Sequence, residues 1–209
     1  MEKINLGQLI RAKENRGYIT LLIVNVIYLA IFTALYVSRK NYEFLMYVGV
    51  VLFFVLFIGW LHLKYRFSFV VLCCMTIWGF LHMAGGGVIV KGDILYGLQL
   101  VPLVLRYDQL VHAFGFGTAT CLAYYCLKPN LSSSANFRAV VVLLVFIGMG
   151  LGALNEIVEF LAVLAFPDTN VGGYDNTMWD IVFNTFGAII AVVWITVKRK
   201  NRAIAPETA

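Results

Sequence analysis

The chain has 209 residues, 61% of them hydrophobic and 13% charged, with a mean hydropathy of +0.85. Soluble domains carry about 25% charged residues, so a water-soluble globular domain is excluded. The formal charge of +5 and the pI near 9.0 do not point to nucleic acid, because the basic residues are spread along the chain in the manner of a membrane topology rather than gathered into a patch.

The apolar residues fall into six blocks, about 18–37, 44–63, 67–84, 107–127, 139–166 and 178–197, each near or above the ~18–20 residues that cross a hydrocarbon core. The first block is too long for the apolar part of a signal peptide, and no small-x-small cleavage site precedes Arg39. It reads as a retained helix behind a 17-residue cytoplasmic tail. Block three ends in Trp78-Gly-Phe-Leu-His82-Met-Ala-Gly-Gly-Gly87, where the triple glycine is expected to stop the helix and leave His82 about one turn inside it. Residues 94–105 are too short to span and are interrupted by Gly97 and Pro102. An interfacial or re-entrant piece is expected there.

Block four opens Arg106-Tyr-Asp108-Gln-Leu-Val-His112, and the four-residue spacing puts Asp108 and His112 on one helix face. In block five Glu156 lies 17 residues after Ala139, roughly 25 Å along a helix, with Glu159 one turn further on the same face. Block six is expected to start near Met178, which stacks Asp180 over Asn184. Gly148-x-Gly150-x-Gly152 and Gly115-x-Gly117 are small-residue patches that let helices approach closely. Cys73, Cys74, Cys121 and Cys126 all fall within blocks and read as buried free thiols.

With six spans and the N-terminus inside, twelve basic residues lie on the cytoplasmic side and only Arg39, Lys40, Lys91 and Arg106 lie outside. That bias places both termini in the cytoplasm. The expected protein is therefore all-α and polytopic: one membrane domain over 1–209, six transmembrane helices, a short basic C-terminal tail, and a place in the inner membrane among its lipids. In this threading His82, Asp108, His112, Glu156, Glu159, Asp175, Asp180 and Asn184 all fall toward the outer side.

Some of these have plainer explanations. Thr177-x-x-Asp180 has the form of a capping box, Asp108 sits where an acid suits a helix dipole, and Asp175 is in a turn-rich loop. Glu156 and Glu159 have no cap to explain them, and two carboxylates one turn apart inside a span require a proton or a cation between them. The set fits a divalent metal site with Asp108, His112, Glu156, Glu159, Asp180 and His82 as ligands or their immediate supports. Glu156 or His112 would act as general base. Arg106, Lys91, Tyr174 and Asn184 would contact an amphiphilic or lipid-linked envelope substrate. Two other classes stay open: ion-coupled transport, opposed by the apolar inner halves of the spans, and a non-catalytic scaffold or resistance protein.

The elements Tyr107-Asp108-x-x-Val111-His112, Asn155-Glu156-x-x-Glu159-Phe160 and Gly173-Tyr174-Asp175-Asn176-Thr177-x-x-Asp180-x-x-x-Asn184-x-x-Gly187-Ala188 resemble the YjdF-like bacterial inner-membrane proteins. More distantly they resemble the VanZ-like group, whose D-x-x-x-H, acidic-helix and D-x-x-x-N-x-x-G elements come in the same order. The resemblance covers about residues 78–195 and implies a small helical inner-membrane protein. For the VanZ-like group it brings an association with glycopeptide resistance. The chain departs from that group in having Glu159 where a Gln is common and in lacking an Arg in the 167–177 loop, which weighs against carrying the resistance role over.

Overall fold

The computed structural model describes residues 16–132 and 134–204, with side chains placed up to residue 201. Six helices are long and apolar enough to cross a membrane. They are α1 (Arg16–Ser38), α2 (Tyr42–Tyr65), α3 (Phe69–Gly87), α4 (Tyr107–Leu127), α5 (Phe137–Ala165) and α6 (Tyr174–Ile204). All six expected blocks are helices, and the protein is a multi-pass membrane protein. Its burial pattern is that of a chain solvated by lipid: Leu22, Phe53, Leu56, Phe146, Leu154 and Leu164 are more than half exposed, while Asn25, Gln109, His112, Glu156, Asp180 and Asn184 are buried. In hydrocarbon an exposed leucine costs nothing and an exposed carboxylate costs several kcal/mol, about 2.5–3.5 on insertion scales.

The chain forms two compact units, Met1–Val88 and Ile89–Ala209. In the first, α1–α3 are joined by short turns that the sequence supplies locally. Lys40 takes a left-handed φ of 55° and Asn41 caps α2 by accepting from the Phe44 N–H at 3.1 Å. Arg66 closes α2 with φ 50°, and Ser68 caps α3. Where lipid removes the hydrophobic drive for helix association, close packing and interhelical hydrogen bonds take its place. Asn25 donates to Thr76 Oγ1 at 2.9 Å and accepts from the Tyr28 hydroxyl at 2.6 Å, both buried.

α3 ends at Gly87, the last of the triple glycine, which leaves His82 between one and two turns inside the helix end. A Cβ on Gly86 would lie 1.9 Å from the Phe44 ring, and one on Gly87 would lie 2.6 Å from the ring of Phe32. Gly86 and Gly87 are therefore also seats for aromatic rings.

The second unit opens with two antiparallel hairpins, β1 (Ile89–Val90) with β2 (Asp93–Ile94) and β3 (Gln99–Val101) with β4 (Leu105–Arg106), separated by a 3-10 turn at Leu95–Gly97. Lys91 and Gly92 both have positive φ, 52° and 89°, the pair of angles that a two-residue hairpin turn requires. The 94–105 segment is thus strand and turn. Its tip is apolar and bare, with Leu103, Val104 and Val101 exposed, which suits contact with a membrane interface. Behind it α4, α5 and α6 pack as an antiparallel trio, with α4 against α6 the most intimate pair. Gly187 permits this: a Cβ there would stand 2.0 Å from the Ala113 carbonyl oxygen. Gly152 and Gly148 likewise let α5 close on Asn184 and Ala188, while Gly150 faces open space.

Candidate functional site

Because the three helices alternate in direction, the start of α4, the last third of α5 and the start of α6 meet at one end of the second unit. Asp108 and His112 come from α4, Glu156 and Glu159 from α5, Asp180 and Asn184 from α6. His112 is the centre. Its Nε2 lies 3.5 Å from Asp108 Oδ1 and 3.9 Å from Glu159 Oε1, and its Nδ1 lies 3.7 Å from Glu156 Oε1 and 3.0 Å from Asn184 Oδ1. Two triads of ligand atoms, Asp108–His112–Asp180 and His112–Glu156–Glu159, each have their members within 4.8 Å of one another. Five of the six expected metal ligands are gathered in this way. The sixth, His82, belongs to the first unit, where its ring stacks on Trp78 and meets Tyr47 edge-on, both at 5.6 Å.

The hydrogen bonds assign part of the chemistry. Asn184 Oδ1 is an acceptor only, so its 3.0 Å contact requires the proton on His112 Nδ1. Nε2 faces two carboxylates, at distances beyond a normal hydrogen bond of ~2.7–3.2 Å. Both carboxylate oxygens of Glu156, together with Asp180 Oδ1 and Asn184 Nδ2, are buried without a hydrogen-bond partner. Asp180 is 1% exposed and Asn184 fully buried. Four acids around one imidazole in a low-dielectric site leave negative charge that protons or a cation must answer.

The remaining candidates are spread over the rim. Arg106 is exposed and donates to Asn176 Oδ1 at 3.4 Å. Tyr174 is 77% exposed at the first residue of α6, and Lys91 is exposed in the β1–β2 turn. Among the described residues no hydrogen bond or ion pair ties Tyr174 or Lys91 to the cluster. Asn184, expected to meet substrate, holds His112 from beneath. Asp180 is not a cap: α6 begins at Tyr174, so Asp180 stands in its second turn. Asp108 does lie in the first turn of α4, and Asp175, in the first turn of α6, is exposed.

Two residues escaped the sequence reading of the site. Asn176 donates to Asp180 Oδ2 at 2.6 Å and to Asp108 Oδ2 at 3.2 Å, linking α4 to α6. Asn155 donates to Glu159 Oε1 at 2.7 Å. Each stands four residues before the acid on its own helix that it serves, so the i,i+4 rule that paired Asp108 with His112 would have found both.

A family model described as predicted membrane protein (DUF2238) matches residues 20–201. No curated protein and no solved structure matches the chain.

Proposed function

Because the chain belongs to this DUF2238 family of predicted membrane proteins, and its second unit carries the buried acid and imidazole cluster, we propose that the cluster is a divalent-cation centre. In this reading the protein is a metal-dependent enzyme acting on a lipid or lipid-linked envelope substrate. The observation that carries the reading is His112 Nε2 facing two carboxylates, Asp108 and Glu159, at 3.5 and 3.9 Å. Those separations are long for hydrogen bonds, and they suit two ligands that share one ion at about 2.0–2.2 Å each. Carboxylates with a single imidazole favour Mn, Zn, Fe or Mg.

Asp108, His112, Glu159 and Asp180 would hold the ion, with Asn184, Asn155 and Asn176 fixing the ligands from behind. The ion would supply a polarised phosphoryl oxygen or an activated water. Glu156, on the Nδ1 side of His112 with neither oxygen hydrogen-bonded, is the general base. Arg106 at the rim holds an anionic headgroup, and Tyr174 and Lys91 extend that rim.

The site opens on the outer face of the inner membrane, with both chain termini in the cytoplasm. This orientation is supported by the basic-residue bias. The finer placement among YjdF-like, distantly VanZ-like proteins rests on the Asp108/His112, Glu156/Glu159 and Asp180/Asn184 elements. Ion-coupled transport is disfavoured by the polar residues deeper in the unit: Thr118, Thr120 and Thr185 each spend their hydroxyl proton on a carbonyl of their own helix, so these three do not donate onward from the cluster.

Elemental analysis of the purified protein tests the reading. One equivalent of divalent metal is expected, falling below about a tenth in Glu159→Gln or His112→Ala, since losing one ligand costs at least 10–100-fold in affinity. A stable, monodisperse protein that holds no metal, even after incubation with Mn, Zn, Fe or Mg, would remove the proposal.

A further inference from the structure

A cavity of about 320 Å³ lies at the opposite end of the second unit. Its walls include Tyr124 and Lys128 from the end of α4, Phe137 from the start of α5, and Trp194, Lys198 and Arg199 from α6. Among the described residues the three cations have no partner of opposite charge. Neither 109–155 nor 181–204 contains an Asp or Glu, and among the described residues none of the three makes an ion pair. Aromatic faces hold two of them, with Lys198 Nζ 4.4 Å above Trp194 and the Arg199 guanidinium 4.0 Å above Phe137. α5 also begins here, capped by Asn136 and with no acid in its first turn, so its positive pole adds to the same field.

Depth and shape bear on which anion suits this cavity. Asp108 to Lys128, Glu156 to Phe137 and Asp180 to Lys198 are 20, 19 and 18 residues apart, roughly 27–30 Å along the helices. That is one hydrocarbon thickness. The cavity therefore stands at headgroup level in the leaflet opposite the carboxylate cluster. From its mouth Val197, Val193 and Ile190 run up one side of α6, each about half exposed or more, a path suited to an acyl chain. We propose that this cavity is a headgroup site for an anionic phospholipid, with Lys128, Lys198 and Arg199 on the phosphate and the tail along α6.

A general preference for basic residues on one side of a membrane would also put lysines here, and the test separates the two. The full-length protein in detergent is titrated, by native mass spectrometry, with phosphatidylglycerol and with phosphatidylcholine of the same chains. Each basic group beside an anionic lipid contributes about fivefold in affinity. Phosphatidylglycerol should therefore bind more than about tenfold tighter, and Lys128→Ala combined with Arg199→Ala should weaken it by about 25-fold. Lys200→Ala, on the same helix end but outside the cavity wall, should change it by less than about twofold. Excess inorganic phosphate should leave the lipid bound.

Equal retention of the two lipids would overturn the proposal, and this comparison needs only the wild-type protein. So would a Lys200→Ala loss as large as that of the double variant, which would mean diffuse attraction. Displacement by inorganic phosphate would make it a free-phosphate site and overturn the lipid assignment.

Discussion

His112 is a buried imidazole whose two nitrogens face in different chemical directions. Nδ1 is committed to Asn184, and Nε2 looks at Asp108 and Glu159. Asn176 has the complementary role of holding two acids from two helices with one amide group. Asn176→Ala should therefore lower metal affinity by 10–100-fold without removing a ligand. It should also destabilise the metal-free protein by about 1–3 kcal/mol, because buried acceptors on Asp108 and Asp180 lose their donor. Metal titration followed by thermal unfolding measures both. An unchanged affinity would show that the acids are positioned without it. Chelation should lower the unfolding temperature of the wild-type protein, since a ligand at 100 times its Kd adds about 2.7 kcal/mol, and should leave Glu159→Gln almost unmoved.

Between α4 and α6 the contact is backbone against backbone. A Cβ at Gly187 would meet the Ala113 carbonyl oxygen at 2.0 Å, and the main chain cannot rotate out of the way as a side chain can. Gly187→Ala should cost at least about 2 kcal/mol, in the range of overpacked cores, and should also disturb the cluster by pushing Asn184 away from His112. Gly150, four residues from neither interface glycine and with nothing within 4 Å of its would-be Cβ, is the control. Gly150→Ala should be neutral or stabilising by up to about 1 kcal/mol through helix propensity. Unfolding both variants in one detergent compares them directly, and equal effects would mean that the α4–α6 approach is not tight. The motif Gly148-x-Gly150-x-Gly152 was readable as a packing patch. Helical geometry then sorts its members: residues four apart, Gly148 and Gly152, share the face toward α6, and Gly150 points elsewhere.

For the molecule as a whole, the orientation proposed from the basic-residue count makes an accessible prediction. In a background lacking Cys73, Cys74, Cys121 and Cys126, Asp168→Cys or Val171→Cys in the loop between α5 and α6 should react with an impermeant maleimide added to intact cells. Labelling only after permeabilisation would invert the topology and place the carboxylate cluster at the cytoplasmic face. The same inversion would move the basic cavity outward, so this one experiment fixes the leaflet of both sites.

Span number and approximate limits were legible because hydropathy is additive along a segment, and a helix in lipid must satisfy its own backbone. Carboxylate pairs were legible because i,i+4 neighbours are fixed by helix geometry alone. Which helices neighbour one another was not, since lateral packing in lipid carries no hydrophobic period to read. Hence the sequence could set Asp108, Glu156 and Asp180 at one depth, whereas their meeting around His112, the bridge made by Asn176 and the division after Val88 came from the folded chain. The two hairpins at 89–106 were hidden for a similar reason: strands of two or three residues have no periodicity, and their turn rests on the positive φ of Lys91 and Gly92. Depth is a property of one helix at a time, and a cluster with side chains from three helices exists only once they are packed.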